Sequence, residues 1–170
     1  MTLQDLNFQA LTDANMNAAV GVYAETWGRD AYAVRLHFQR HRLYPSWRGL
    51  LADTGGEAVG FVYGNRSLAG QWWHDRVSAQ LKDAGPLENC WVLSELAVRP
   101  AFRNLGLGRV LHDRILDSLD FPRVALSTQL SNPGAQRFYA RHGWRVIVPA
   151  MRFSLFDEPF VIMAKELGSP

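Results

Sequence analysis

The chain has 170 residues, 48% of them hydrophobic and 20% charged, proportions that suit a globular protein with one core and exclude a disordered or fibrous chain. Its formal net charge of +2 comes from 18 basic and 16 acidic side chains with no long run of one sign, which allows an anionic small ligand but not the concentrated basic face of a dedicated nucleic-acid binder. A single cysteine, Cys90, excludes an internal disulfide and a cysteine-based metal cage, and fits a reducing, cytoplasmic setting.

Met1 to Ala10 contains Asp5 and no basic residue, so a signal peptide is not expected there, and no apolar run approaches the roughly 20 residues that span a bilayer. Without repeats, low-complexity tracts or a Pro/Ser-rich linker, one domain over residues 1–170 is the expectation.

A short strand is expected near Phe8. Thr12 or Asp13 then offers a cap for a helix whose apolar residues Met16, Val20, Tyr23 and Trp27 recur at helical spacing, with Gly28 ending it. A second helix is expected from Asp30 to Arg42, before Pro45. Trp47 to Ala52 and Ala58 to Tyr63, on either side of Asp53-Thr54-Gly55-Gly56, read as a β-hairpin. Asn65 to Asn89 is a polar insertion in which Gln71 to Lys82 has helical composition. Next come a strand from Trp91 to Val98, a glycine loop, and a helix from about Gly108 to Leu119 with Val110, Leu111, Ile115 and Leu119 as its apolar stripe. Val124 to Thr128 reads as a strand. Asn132 caps a helix with Pro133 at its first position and Gly143 past its end, and Trp144 to Val148 and Phe160 to Ala164 close the fold. The order predicts a mixed α/β architecture with a central sheet of about six to seven strands flanked by helices.

The segment Arg103-Asn104-Leu105-Gly106-Leu107-Gly108-Arg109, set between a strand and a helix, carries the most chemistry. Gly106 and Gly108 remove side chains where backbone must approach a ligand, and the helix start presents unpaired N–H groups with a partial positive charge, an arrangement suited to pyrophosphate. A dinucleotide-binding turn would want a third glycine where Leu111 stands, and a phosphate-binding P-loop would need a Lys-Ser/Thr pair that is missing.

These residues resemble the GNAT acyltransferases. That family's pattern of Arg or Gln, two residues, Gly, one residue, Gly or Ala is matched by Arg103, Gly106 and Gly108, with Leu96, Val98 and Pro100 matching ahead of it. A second pattern, Asn, Ala, aromatic-Tyr, Gly-aromatic, is matched by Asn132, Ala135, Phe138, Tyr139, Gly143 and Trp144. The resemblance covers most of the chain, leaving Asn65 to Asn89 and Pro149 to Pro159 outside the pattern.

The resemblance implies acetyl-CoA as acyl donor, no metal, an amine of a small molecule or peptide as acceptor, and a fold in which homodimers are common. It implies that Leu96, Ala97 and Val98 run along pantetheine and that the amides from Arg103 to Arg109 hold the phosphates, with Asn132, Ala135 and Phe138 on the cofactor side. Arg103 is read equally as a phosphate contact or as a brace on backbone carbonyls. Tyr139 is implied as general acid for the departing thiolate, the alternative being a ring packed beside Phe138.

Strand alternation puts Glu95 with Trp91, Leu93 and Ala97, where a carboxylate needs a reason; it is the candidate base, against a solvated face or a structural ion pair. Trp72, Trp73 and His74 are candidates for an acceptor pocket, or a local mini-core. His37 and His41 share a helix face without an acidic or cysteine partner to complete a metal site and read as solvated surface. Arg35, Arg40, Arg42 and Arg48 likewise read as surface charge, against an RNA-backbone patch. A silent CoA-sensing domain stands as the alternative to an enzyme.

Overall fold

The computed structural model describes residues 5–168. In chain order the elements are β1 (Asn7–Ala10), α1 (Met16–Trp27), α2 (Ala31–Arg42), β2 (Arg48–Thr54), β3 (Glu57–Arg66), α3 (Trp72–Ser78), β4 (Cys90–Val98), α4 (Leu107–Asp117), β5 (Arg123–Gln129), α5 (Pro133–Arg141), β6 (Arg145–Met151) and β7 (Phe160–Glu166). The seven strands form one mixed sheet in the order β1-β2-β3-β4-β5-β7-β6, as expected for the fold class. The described residues fall into two compact units: the first holds 5–65 and Leu93–Leu119, the second Arg66–Val92 and 120–168.

In the first unit, β2 and β3 form the expected hairpin, in register from Arg48↔Gly64 to Thr54↔Glu57, and β1 adds antiparallel to β2 from Asn7↔Asp53. Helix α1 buries Met16, Ala19, Val20 and Val22, and α2 buries Val34 and Phe38. These side chains close one core with Leu11, Leu51, Phe61, Tyr63 and Ala97. Neither Thr12 nor Asp13 caps α1, contrary to expectation. Asn15 is the cap residue, and its side chain turns back instead, accepting from the Thr12 N–H at 2.7 Å and donating to the Ala10 carbonyl at 2.9 Å. That local bonding competes with helix and delays the start. Asp30 does cap α2, accepting from the Ala33 N–H at 3.0 Å.

Helix α4 runs from Leu107 to Asp117 and buries Leu107, Leu111, His112, Ile115 and Leu116, whereas the expected stripe members Val110 and Leu119 are half-buried. Its seat depends on Gly60 in β3. A β-carbon there would lie 3.1 Å from Leu111 Cδ1, 3.2 Å from the Ala97 carbonyl oxygen and 3.2 Å from Leu107 Cδ2, so helix, strand and backbone all close on the missing side chain. We expect Gly60→Val to lower unfolding free energy by about 1–3 kcal/mol, the usual range for overfilling a packed core. A denaturant midpoint equal to the parent's would show that α4 can shift without loss.

In the second unit, β4 pairs parallel with β5 through Cys90↔Arg123, Trp91↔Val124 and Val92↔Ala125, and β5 pairs antiparallel with β7 from Arg123↔Glu166 to Gln129↔Phe160. Strand β6 joins β7 with irregularities between Val146 and Val148 and between Val148 and Met151. Helix α3 is shorter than its composition suggested. After Ser78 the bonds tighten, Gln80 N–H to the Val77 carbonyl and Leu81 N–H to the Ser78 carbonyl, as the chain turns ahead of Gly85–Leu87. Val77, Leu87, Cys90, Ala125, Val148, Met151, Phe153, Ile162 and Ala164 form this unit's core.

Candidate functional site

The segment after β4 reaches helix α4 through two left-handed residues. From Arg99 the chain makes a short 3-10 turn over Pro100–Phe102, then enters α4 through Asn104, at φ 61°, and Gly106, at φ 84°. Both are left-handed. Asparagine tolerates that region and glycine adopts it freely, so the Asn and Gly of this loop stand where the backbone requires them.

Gly106 is the cap residue of α4 and provides no side-chain cap, and the first turn contains no acidic residue. The first intrahelical bond runs from the Val110 N–H to the Gly106 carbonyl at 3.1 Å. The amides of Leu107, Gly108 and Arg109 therefore open the helix as donors without an intrahelical acceptor, at its positive end. By contrast, the opening donors of α5 are partly satisfied, since Asn132 Oδ1 accepts from the Ala135 N–H at 3.1 Å.

Arg103 braces this loop: its Nε donates to the Val98 carbonyl at 3.3 Å, tying the loop to the end of β4. Arg109 pairs with Asp113 one turn along α4, Nε to Oδ2 at 3.3 Å, with its side chain 70% exposed. A β-carbon at Gly108 would touch Leu96 Cδ2 and Val98 Cγ2 only at 4.0 Å. Leu96, Ala97, Val98 and residues 103–109 thus lie in one continuous strand-turn-helix segment. Its donor set of uncapped main-chain amides fits the chemistry of a diphosphate.

Glu95, one residue before that segment, has partners the sequence reading did not assign. Its Oε1 lies 3.2 Å from His37 Nε2, with the Glu95 side chain 20% exposed. Burial pushes its carboxyl above the usual carboxylate range, against the opposing hydrogen bond and charge of His37. His41 Nδ1 lies 3.0 Å from the Tyr63 hydroxyl, and the rings of His37 and His41 are 4.1 Å apart. The reading of these histidines as solvated surface is therefore corrected. They lie one turn apart on the face of α2 that also carries Val34 and Phe38, and a count at i, i+3, i+4 and i+7 from Val34 would have found them. The arginines of the same region have local partners: Arg35 bonds Asn17, Arg42 pairs with Asp13 and lies over Trp47, and Arg48 bonds the Ser118 carbonyl.

In the second unit Tyr139 is buried, with its ring edge-on to Phe138 at 5.2 Å and to Trp144 at 5.5 Å. Trp72 stacks on Phe153 at 5.0 Å, Trp73 Nε1 donates to Ser127 Oγ at 3.2 Å, and His74 Nδ1 lies 2.8 Å from Ser67 Oγ. Burial raises the Cys90 thiol to about 12, so it is not a thiolate nucleophile near neutrality. Among the described residues no group of histidine, cysteine or acidic side chains is arranged to hold a metal ion, and no helix is long and apolar enough to cross a membrane.

The sequence model of the acetyltransferase (GNAT) family matches residues 9–144, which take in both sequence patterns, the end of β1 and the elements from α1 through α5. The chain belongs to the GNAT acetyltransferase family.

A GCN5-like protein acetyltransferase of Mycobacterium tuberculosis is 30% identical to this GNAT chain over 120 residues, 64% of this chain and 58% of that protein. The chain thus matches little more than half the length of this curated relative. The crystal structure of the ribosomal-protein-S18-alanine N-acetyltransferase from Escherichia coli superposes with a TM-score of 0.72 at 16% identity, covering 97% of this chain and 96% of that one. An acetyltransferase from Thermus thermophilus gives a TM-score of 0.71 at 19% identity, covering 98% of this chain and 100% of the other. At such identities these structures share the GNAT fold, and substrate choice does not transfer with it.

Proposed function

We propose that this chain is an N-acetyltransferase that moves an acetyl group from acetyl-CoA to a primary amine of a small molecule or peptide, by direct attack in a ternary complex. The observation that carries the reading is the uncapped start of α4, reached through left-handed Asn104 and Gly106 and tied back to β4 by Arg103, in a GNAT family member. In this reading the amides from Asn104 to Arg109 bind the pyrophosphate, and the main chain of Leu96, Ala97 and Val98 holds the pantetheine arm. Asn132, Ala135 and Phe138 line the cofactor side. Trp72, Trp73 and His74 belong to the acceptor side.

Acetyl-CoA supplies the acyl group as a thioester. Glu95 takes a proton from the acceptor ammonium so that nitrogen can attack, and the Tyr139 hydroxyl gives a proton to the sulfur as it leaves. As the C–N bond forms and the C–S bond breaks, the nitrogen gives up its second proton, which restores the tyrosine, and the thiol leaves with the proton that tyrosine supplied. The high thiol pKa of Cys90 supports direct transfer over a cysteine-bound acyl intermediate. The single cysteine fits a reducing cytoplasm.

Because the Mycobacterium tuberculosis relative is described as a protein acetyltransferase and the Escherichia coli enzyme acts on an S18 alanine, peptides with free N-termini and lysines belong in the acceptor panel beside small amines. Incubation with radiolabelled acetyl-CoA should transfer label to at least one member of that panel. Tight acetyl-CoA binding with no transfer to any amine would replace the enzyme by a silent CoA-binding domain.

A further inference from the structure

The pair His37 and Glu95 sits in an unusual setting within the first unit. Tyr23 on α1, His41 on α2 and Tyr63 on β3 surround it. Burial, followed by the charge on Glu95, raises the Tyr63 phenol well above its usual range, and the same two causes raise Tyr23. Burial, then His37 and Arg40, lowers His41 to about 3. Near neutrality both tyrosines therefore keep their protons and His41 is uncharged. The buried Tyr63 hydroxyl needs an acceptor, so its O–H donates to His41 Nδ1 and the His41 proton sits on Nε2. Arg29 and Arg40 act on this group through Tyr23 and His41 respectively.

His37 differs from these three groups. Its side chain is 42% exposed, and its Nε2 faces the carboxylate. An ionised carboxylate only accepts, so in this pair Nε2 carries the hydrogen that meets Glu95 Oε1. Of these four groups, His37 is the one whose ring nitrogen lies at hydrogen-bond distance from the Glu95 carboxylate.

We infer that His37 is a positioning residue for Glu95, aiming the carboxylate through Nε2–H and stabilising its charged form, so that the pair rather than an isolated glutamate receives the acceptor's proton. This rests on the reading of Glu95 as the base. The alternative for α2, a purely structural helix face, leaves the pH dependence of acetyl transfer indifferent to the identity of residue 37.

The sign of the effect follows from the partners. Burial raises Glu95 and His37 opposes that rise, so removing His37 moves the carboxyl further up and keeps it protonated, and unable to accept, to higher pH.

The test uses the intact protein labelled with [13Cδ]glutamate, with Glu95→Gln identifying the Glu95 signal by its disappearance. The Glu95 midpoint in His37→Ala should rise by about one pH unit relative to the parent. His37→Gln, which keeps an N–H donor but carries no charge, should give a smaller rise, and decides the matter if the alanine variant does not fold. Midpoints equal to the parent's in the folded variants would overturn the inference. With any amine accepted in the acetylation panel, the acidic limb of kcat/KM should move up by the same interval as the Glu95 midpoint. If the midpoint moves but Glu95→Gln transfers acetyl at the parent rate, the pairing stands and the assignment of Glu95 as base falls.

Discussion

Gly106→Val should weaken acetyl-CoA binding by at least about tenfold, because the substitution leaves the loop two outcomes and both damage the proposed phosphate site. The backbone at residue 106 has φ 84°, a region in which a β-carbon costs about 1–2 kcal/mol and a branched one more. If the loop keeps its shape, it carries that strain, and the added methyl groups stand at the helix entrance where backbone must meet the ligand. If it relaxes, the amides of Leu107, Gly108 and Arg109 no longer open toward one point. Each hydrogen bond to a charged group contributes about 1.5–3 kcal/mol, and about 1.4 kcal/mol is tenfold in affinity, so losing one donor already reaches the expected change. Calorimetric titration with acetyl-CoA measures it directly. An unchanged dissociation constant would remove the phosphate-loop reading, and with it the basis of the proposed activity.

The second large effect is expected from Tyr139→Phe, which should reduce kcat by about 10²–10⁴-fold, the usual contribution of a positioned acid or base. The substitution is well suited to the question. The Tyr139 ring is buried against Phe138 and Trp144, and phenylalanine retains that ring, so the substitution removes the hydroxyl and keeps the ring packing. A tyrosine hydroxyl titrates near 10 and a free thiol near 8.5, so donation to the thiolate is uphill at equilibrium; the gain must come while charge is still developing on sulfur. The variant should therefore lose kcat while its acetyl-CoA affinity, measured by the same titration, is retained. An unaltered kcat would reduce Tyr139 to its observed packing role and leave the leaving thiolate to be protonated by solvent.

Much of the architecture was legible from local pattern. The helix over Pro133–Arg141 lies where the Asn132 cap puts it, the helix over Ala31–Arg42 fills the span expected between Asp30 and Pro45, and the hairpin turns at Gly55 and Gly56. Such signals are read over a few residues because the bonds that define them are local. The misreadings arose where several local bonds compete. The side chain of Asn15 turned away from α1 to bind the Thr12 amide and the Ala10 carbonyl, and α3 gave way to turns after Ser78. The stripe of α4 was misplaced by part of a turn, because which residues are buried depends on how closely the helix approaches Gly60.

By itself the sequence determined the order of elements, the family and the loop at residues 103–109, since caps, glycines and apolar periods act between near neighbours along the chain. Only the tertiary structure decided what surrounds Glu95. His37, separated from it by 58 residues, comes within 3.2 Å of its carboxylate because α2 packs on the strands through Val34 and Phe38. The titration of a buried carboxyl depends on solvent exclusion and on charges a few ångströms away, and packing supplies both from distant parts of the chain.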